Sequence, residues 1–165
     1  MIFLSVSRRI NIFVSVHVAE HSLGRIDRRS LPFIGFDNQP QAGPFSSVSK
    51  FHDYICSLSC RNLDEGWRAY NYFRPLMPDT RSIVFTHSDI HQANILISAT
   101  GPPRILAIVD WEQSGWYPDY WEYCRACFIS GPWEKWRDYW IPKFLEPQPD
   151  IYPVYCELLM SFGGF

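Results

Sequence analysis

Residues 82–97 read SIVFTHSDIHQANILI, a polar loop between two short apolar runs. The first run, Ser82 to Phe85, is β-branched and apolar, which predicts a buried strand that ends at His87. The second run, Ile95 to Ile97, predicts another strand, and a Gly/Pro-containing turn joins it to a third apolar run at Ile105 to Val109. The sequence therefore predicts a loop crowded with polar side chains, held between a strand and a β-hairpin.

Three polar side chains of this region form a set suited to phosphate chemistry. Asp89 and Asn94 lie five residues apart on the loop, and Asp110 follows the hairpin. Phosphoryl transfer needs a carboxylate that orients or deprotonates the attacking hydroxyl, plus an amide oxygen and a second carboxylate that hold Mg²⁺ on the phosphates. The alternative is that the aspartates cap turns and Asn94 satisfies loop backbone groups. For the spaced set of three we favour the catalytic interpretation and expect the side chains to converge.

The motifs resemble those of aminoglycoside phosphotransferases and their choline-kinase-like relatives. His87-x-Asp89 followed by Asn94 looks like the catalytic loop of that family, and Ile108-Val109-Asp110-Trp111-Glu112 looks like its metal-binding strand end. The segment from Gly115 to Tyr123 is similar to a form common in fungal members. The resemblance covers roughly residues 31–160.

The resemblance implies an α+β, mainly helical fold, the C-terminal lobe of a protein-kinase-like fold, in which a small β-hairpin carries the catalytic and metal-binding loops. We expect residues 31–165 to form this lobe, and residues 1–30 are left unassigned. The resemblance also implies that Asp89 is the catalytic base and that Asn94 and Asp110 bind Mg²⁺. ATP would be the phosphate donor and a small-molecule hydroxyl the acceptor.

Four neighbouring residues are candidates for supporting roles. By the resemblance, His87 is a structural support of the loop. The family usually has Gly where Ser88 stands, so a small change in the loop backbone is expected. We interpret His91 as a surface or supporting residue, and Glu112 as a candidate for a position behind the metal ligands.

A kinase of this class holds its nucleotide with a preceding β-rich lobe that supplies a lysine and a phosphate-covering loop. Residues 1–49 contain no lysine, and Lys50 falls on a predicted helix. Three explanations are ranked in this order: a truncated piece of a full kinase, a natural remnant without catalysis, and a divergent enzyme completed by another chain. The sequence therefore also allows a non-catalytic binding or scaffold domain.

The composition excludes several classes of protein. With 15 Lys and Arg against 17 Asp and Glu, the 165-residue chain lacks the basic surface of a nucleic-acid binder. Arg8 and Arg9 interrupt the apolar N-terminal segment, so no membrane-spanning helix is predicted, and a cytoplasmic location is expected. The cysteine pairs Cys56/Cys60 and Cys124/Cys127 could indicate zinc, but we favour buried free thiols on helix faces.

Helical patterns flank the polar loop. Ser46 or Ser47 is predicted to cap a helix with Val48, Phe51, Ile55 and Leu58 on its apolar face, and a second helix is predicted from Leu63 to Phe73. A third helix is predicted from Pro118 to about Phe128, and Asp119 and Glu122 in its first turn complement the helix dipole. A fourth helix is predicted from a stripe of large rings on one buried face, at Trp133, Trp136, Trp140 and Phe144. A last helix is predicted from Tyr155 to Met160.

Overall fold

Four α-helices pack around an aromatic core in the computed structural model, which describes residues 2–6, 10–14, 23–25, 43–59, 66–131 and 135–161. The helices are α1 (Val48–Leu58), α2 (Gly66–Phe73), α3 (Trp121–Ile129) and α4 (Tyr152–Ser161). Trp121 lies at the centre of the core. Its ring stacks on Tyr117 at 5.1 Å and meets Phe51 and Tyr155 edge to face at 5.1 and 5.5 Å. The indole therefore joins α1, α3 and α4.

Three small antiparallel sheets complete the described part of the chain. The first pairs β1 (Ile2–Val6) with β2 (Ile10–Val14). The other strands are β3 (Gly24–Arg25), β4 (Ile83–Thr86), β5 (Ile95–Ile97), β6 (Ile105–Ile108) and β7 (Gly115–Pro118). The second sheet has the order β3-β7-β4, and the third pairs β5 with β6. The fold is α+β, as expected.

The strands that flank the polar loop are confirmed, since β4, β5 and β6 occupy the predicted runs. The predicted hairpin is confirmed as β5 and β6, but the sheet in which β7 pairs with β4 and with β3 was not predicted. A helix was expected to begin at Pro118, but this proline ends β7 and α3 begins at Trp121. The short segment after Ser114 forms a strand because two neighbouring strands offer it backbone partners.

The first predicted helix is confirmed. Ser47 caps α1, and its hydroxyl accepts a hydrogen bond from the backbone N–H of Lys50 at 3.2 Å. The stripe of tryptophans was only partly placed correctly. Residues 136–140 form a π-helical turn rather than an α-helix, and Trp136 packs against Phe144 at 5.8 Å. Trp140, however, is 47% exposed, and Trp133 lies outside the described residues.

Leu23 lies in the segment to which the sequence assigned no role. Its side chain is buried in the core, and its backbone exchanges two hydrogen bonds with Phe45, at 3.0 and 2.8 Å. Gly24 then pairs with Trp116 of β7. This short stretch is therefore part of the packed unit.

The cysteines of the described residues lie on three helices, α1, α3 and α4. Cys56 is buried on α1, and Cys124 and Cys127 are buried on α3, whereas Cys60 lies outside the described residues. Burial raises the pKa of Cys127 to about 11 and raises that of Cys124 still further. Protonated thiols are poor metal ligands, so free thiols remain our prediction. Among the described helices, none is both long and apolar enough to cross a membrane.

A buried polar network fixes α1 against the start of α3. His52 is fully buried, with Nδ1 3.0 Å from a carboxylate oxygen of Asp79 and Nε2 2.8 Å from the hydroxyl of Tyr120. Burial lowers the pKa of His52, which keeps the ring neutral. Because a carboxylate only accepts, Nδ1 donates to Asp79 and Nε2 accepts from Tyr120. Arg74 completes the network by donating to Asp79 and to Asp53.

We predict that Tyr120→Phe lowers the free energy of unfolding by about 1–3 kcal/mol, because it leaves the buried Nε2 of His52 without a donor. Urea denaturation measures this change. The matched control is Tyr72→Phe, at a tyrosine that is 59% exposed on α2, and it should have little effect. Equal changes in the two variants would contradict a role of this hydrogen bond.

Candidate active site

The polar loop connects β4 to β5, so it begins in one sheet and ends in another. A 3₁₀ turn at Gln92–Asn94 closes the loop, and the backbone N–H of Asn94 donates to the carbonyl of His91 at 3.0 Å. Asp110 follows β6, the hairpin partner of β5. The backbone N–H of Val109 donates to the carbonyl of Asn94 at 2.9 Å. The segment that carries Asp110 is thereby attached to the end of the loop.

Asp89 and Asn94 are in direct contact. The amide Nδ2 of Asn94 donates to the backbone carbonyl of Asp89 at 2.9 Å and to its carboxylate Oδ2 at 3.2 Å. Both partners can only accept, so the amide orientation is fixed, with Nδ2 toward Asp89 and Oδ1 turned elsewhere. Asn94 is buried, whereas the side chain of Asp89 is 17% exposed. The carboxylate is therefore held firmly but remains accessible.

His87 links the two segments of the site. Its Nδ1 accepts from the backbone N–H of Asp89 at 3.2 Å, and its Nε2 donates to the carbonyl of Val109 at 2.9 Å. Burial lowers the pKa of His87, although the carboxylates of Asp89 and Asp110 oppose this shift. A neutral ring is required here, because only a neutral ring has one donor and one acceptor nitrogen. The expectation that His87 supports the loop agrees with these contacts.

Ser88 adopts a left-handed backbone conformation with φ of 67°. This is the conformation that glycine favours, and for other residues it costs about 1–2 kcal/mol. The serine side chain is buried and hydrogen bonded. Its hydroxyl accepts from the indole N–H of Trp121 at 3.1 Å and lies 3.1 Å from the hydroxyl of Thr86. These contacts offset the backbone strain at Ser88.

The first turns of α3 hold the backbone of the same residue. The carboxylate of Glu122 accepts from the backbone N–H of His87 at 2.5 Å and from that of Ser88 at 3.0 Å. Arg125 donates from Nε to the carbonyl of Ser88 at 3.1 Å. Burial raises the pKa of Glu122 to about 7, although the two N–H groups and Arg125 favour its ionised form. Helix α3 thus contacts Ser88 at its N–H, its carbonyl and its hydroxyl.

Asp110 also has a left-handed backbone, with φ of 64° and ψ of 60°, and its side chain is exposed. The next residue, Trp111, donates from its indole to the carbonyl of Ile108 at 2.8 Å. The indole also packs against the ring of His87, with centroids 4.5 Å apart. These contacts fix the turn that presents Asp110. Glu112 lies on the following 3₁₀ turn and is exposed.

His91 contributes to the loop locally. Its Nδ1 accepts from the backbone N–H of Ala93 at 3.3 Å, which caps the 3₁₀ turn, and its Nε2 lies 3.8 Å from Oδ2 of Asp89. The ring is partly exposed. These contacts fit the interpretation of His91 as a surface and supporting residue.

The donor set fits Mg²⁺ in chemistry. Mg²⁺ prefers oxygen ligands and usually takes only one or two carboxylates, together with phosphate and water oxygens. Asn94 offers Oδ1, and Asp110 offers an exposed carboxylate. In the described part of the chain, no group of three or more His, Cys, Asp and Glu side chains is arranged to hold a metal. The proposed set differs from such a group because one ligand is an amide and phosphate would complete the coordination.

Glu122, Trp121 and Arg125 are the site residues that the sequence analysis missed. Glu122 was interpreted only as a complement to the helix dipole. A signal does exist, since a glutamate and an arginine three residues apart lie on one side of a helix otherwise rich in apolar residues. However, the pattern does not reveal which loop lies opposite.

We predict that Ser88→Ala lowers the free energy of unfolding by about 1–3 kcal/mol, because the buried indole N–H of Trp121 loses its acceptor. Ser88→Gly loses the same hydrogen bond but relieves the left-handed strain, so it should be more stable than Ser88→Ala by about 1–2 kcal/mol. Urea denaturation gives both values. At Ser46, which is exposed and does not have positive φ, alanine should be at least as stable as glycine. Ser88→Gly less stable than Ser88→Ala would contradict the argument.

One of the comparisons with known proteins gives a match. A family model described as the phosphotransferase enzyme family matches residues 22–153, which include the polar loop, the hairpin and α3. No curated protein and no solved structure matches the chain. The match covers most of the sequence and contains each residue of the candidate site. The chain therefore belongs to the phosphotransferase enzyme family.

Proposed function

We propose that this domain transfers the γ-phosphate of ATP to a hydroxyl group of a small molecule, and that it corresponds to the C-terminal lobe of a protein-kinase-like fold. One observation supports the proposal most directly. In a chain of a phosphotransferase family, the amide of Asn94 bonds to both the carbonyl and the carboxylate of Asp89. This contact couples the candidate base to a candidate metal ligand.

In the proposed reaction Asp89 is the base. Its carboxylate accepts the proton of the acceptor hydroxyl while the hydroxyl oxygen bonds to the γ-phosphorus, and the bond from phosphorus to the β–γ bridging oxygen breaks to release ADP. Asn94 and Asp110 would hold Mg²⁺, which when bound offsets the negative charge of the phosphates. His87 keeps the two segments in register through its bonds to Asp89 and Val109. Preorganisation of this kind supplies much of the rate acceleration in phosphoryl transfer.

Three further residues have supporting roles in this proposal. The left-handed backbone conformation of Ser88 orients the following residue, Asp89. His91 lies beside the carboxylate of Asp89. Glu112 follows the metal-binding segment, and we place it behind the metal ligands. None of the three has a chemical step of its own.

A second candidate function is a binding or scaffold domain without catalysis. It is favoured by the absence of lysine from residues 1–49, combined with the position of Lys50, which is exposed on α1. A phosphotransferase of this class uses a lysine on the phosphates of ATP. The proposed reaction therefore requires a lysine from elsewhere, either from further sequence of the same protein or from another chain.

We predict that the 165-residue chain alone shows no rise in Tm with Mg-ATP beyond that seen with Mg²⁺, because residues 1–49 contain no lysine to bind the phosphates. Differential scanning fluorimetry measures this. A rise specific to ATP that disappears in Asp110→Ala would show that these residues bind the nucleotide without that lysine, and would contradict this expectation.

When the chain is fused to a lysine-bearing nucleotide-binding lobe, we predict ATP-dependent phosphorylation of small hydroxyl acceptors. Asp89→Ala should lower kcat about 10²–10⁴-fold, the usual contribution of a positioned general base. A coupled assay of ADP release measures kcat. Asp150→Ala, at an exposed aspartate near α4, is the matched control and should retain activity. Turnover that is indifferent to Asp89→Ala would refute the role of the base and favour the second candidate.

A further inference from the structure

Glu122 faces the polar loop, and nothing in the proposed reaction uses it. Its two carboxylate oxygens accept from the consecutive backbone N–H groups of His87 and Ser88. These two residues immediately precede Asp89, and Ser88 is the one with left-handed backbone. A change at Glu122 would therefore alter the backbone conformation that places Asp89, although Glu122 itself has no role in contact with the reacting atoms.

We propose that Glu122 is a positioning residue for Asp89. The ionised carboxylate of Glu122 holds the left-handed turn at Ser88, and protonation of Glu122 loosens that turn. The relevance to catalysis rests on the function proposed above, in which Asp89 is the base. The hydrogen bonds from His87 and Ser88 to Glu122 are a property of the chain and do not depend on phosphate transfer.

The effect of the proton follows from hydrogen-bond chemistry. An ionised carboxylate only accepts, and it faces two groups that only donate. A protonated carboxyl group is neutral, so both N–H groups lose a charged acceptor, and the oxygen that carries the hydrogen also becomes a poor acceptor for the N–H group it faces. Bonds to a charged acceptor are roughly twice as strong as neutral ones. Protonation of Glu122 thus weakens both hydrogen bonds, and it weakens most the one to the oxygen that carries the hydrogen.

The charged groups around Glu122 come from two elements. On its own helix, Arg125 favours the ionised form, and on the loop, Asp89 opposes it. The imidazole of His87, also on the loop, has a pKa below its ordinary value of 6.5. Burial has the largest effect and raises the pKa of Glu122 to about 7. The pKa of Glu122 is thus raised while that of His87 is lowered, and the Glu122→Gln variant separates the titration of Glu122 from that of the imidazole.

The sign of the pH dependence argues against a purely stabilising role. A folded-state pKa above the ordinary value of 4.5 means that the folded chain binds this proton more tightly than the unfolded chain. The contribution of Glu122 to stability accordingly falls as the pH rises from about 4.5 to about 7. Ionisation costs global stability while it strengthens the local hold on His87 and Ser88. That combination is expected of a group that serves the geometry of a site.

The amide resonances of His87 and Ser88 in the ¹⁵N-labelled 165-residue chain test the proposal directly, between about pH 8.5 and about pH 5.5. We expect both resonances to lie downfield at the alkaline end and to move together with a midpoint near 7, while their hydrogen exchange, corrected for intrinsic rate, becomes faster at the acid end. In Glu122→Gln this shared step should disappear. In Glu157→Gln, which makes the same change at an exposed position of α4, it should remain.

Asp89→Asn provides a second test that does not depend on the folding of Glu122→Gln. Because the charge of Asp89 raises the pKa of Glu122, its removal should move the shared midpoint to lower pH. Amides that do not titrate in this range, or that titrate unchanged in Glu122→Gln, would overturn the proposal. The titration uses neither ATP nor an acceptor, so its outcome is independent of the phosphotransfer assay. A clear titration together with turnover indifferent to Asp89→Ala would refute the proposed function alone.

Discussion

The geometry of the candidate site depends on the left-handed backbone turn at Ser88. Without that turn, the chain that leaves β4 would not bring Asp89 within reach of Asn94. The turn is unfavourable for a serine, so it persists only because the surrounding structure compensates for it. Most of the compensation comes from α3, where Trp121, Glu122 and Arg125 contact the hydroxyl, the N–H and the carbonyl of Ser88. The hydroxyl of Thr86 on β4 also lies 3.1 Å from that of Ser88. The position of α3 therefore determines the position of the candidate base.

Helix α3 can serve this purpose because it is itself fixed by the core. The indole of Trp121 is 4% exposed and packs among aromatic rings from α1, β7 and α4. The same indole reaches Ser88 with its N–H, so one side chain connects the hydrophobic core to the polar loop. Just before α3, the hydroxyl of Tyr120 bonds to the buried His52 of α1. The loop geometry is thus a consequence of core packing, and disturbance of the core should reach Asp89 through α3.

Much of the local structure could be predicted from the sequence, because the information lies within a few residues. Helix α1 follows from the spacing of its apolar residues and from the cap at Ser47, and strands β4 to β6 follow from short β-branched runs. The segment Gly115–Pro118 could not be predicted as a strand, because a glycine and a proline in four residues disfavour it and only the partners β3 and β4 make it pair. Likewise, the sequence places Glu122 in a first helical turn but does not reveal that His87 and Ser88 lie opposite. Such contacts depend on tertiary packing.

His87 connects the two separate segments of the candidate site. Its Nδ1 accepts from the N–H of Asp89 itself, and its Nε2 donates to the carbonyl of Val109, the residue before Asp110. Protonation of the ring would place a hydrogen on Nδ1, which could then no longer accept, and the contact with Asp89 would become a clash of two donors. Burial lowers the pKa of His87, so the neutral ring persists to lower pH than an exposed histidine would allow. The buried environment that Trp111 helps to provide therefore preserves the link between the candidate base and the candidate metal ligand.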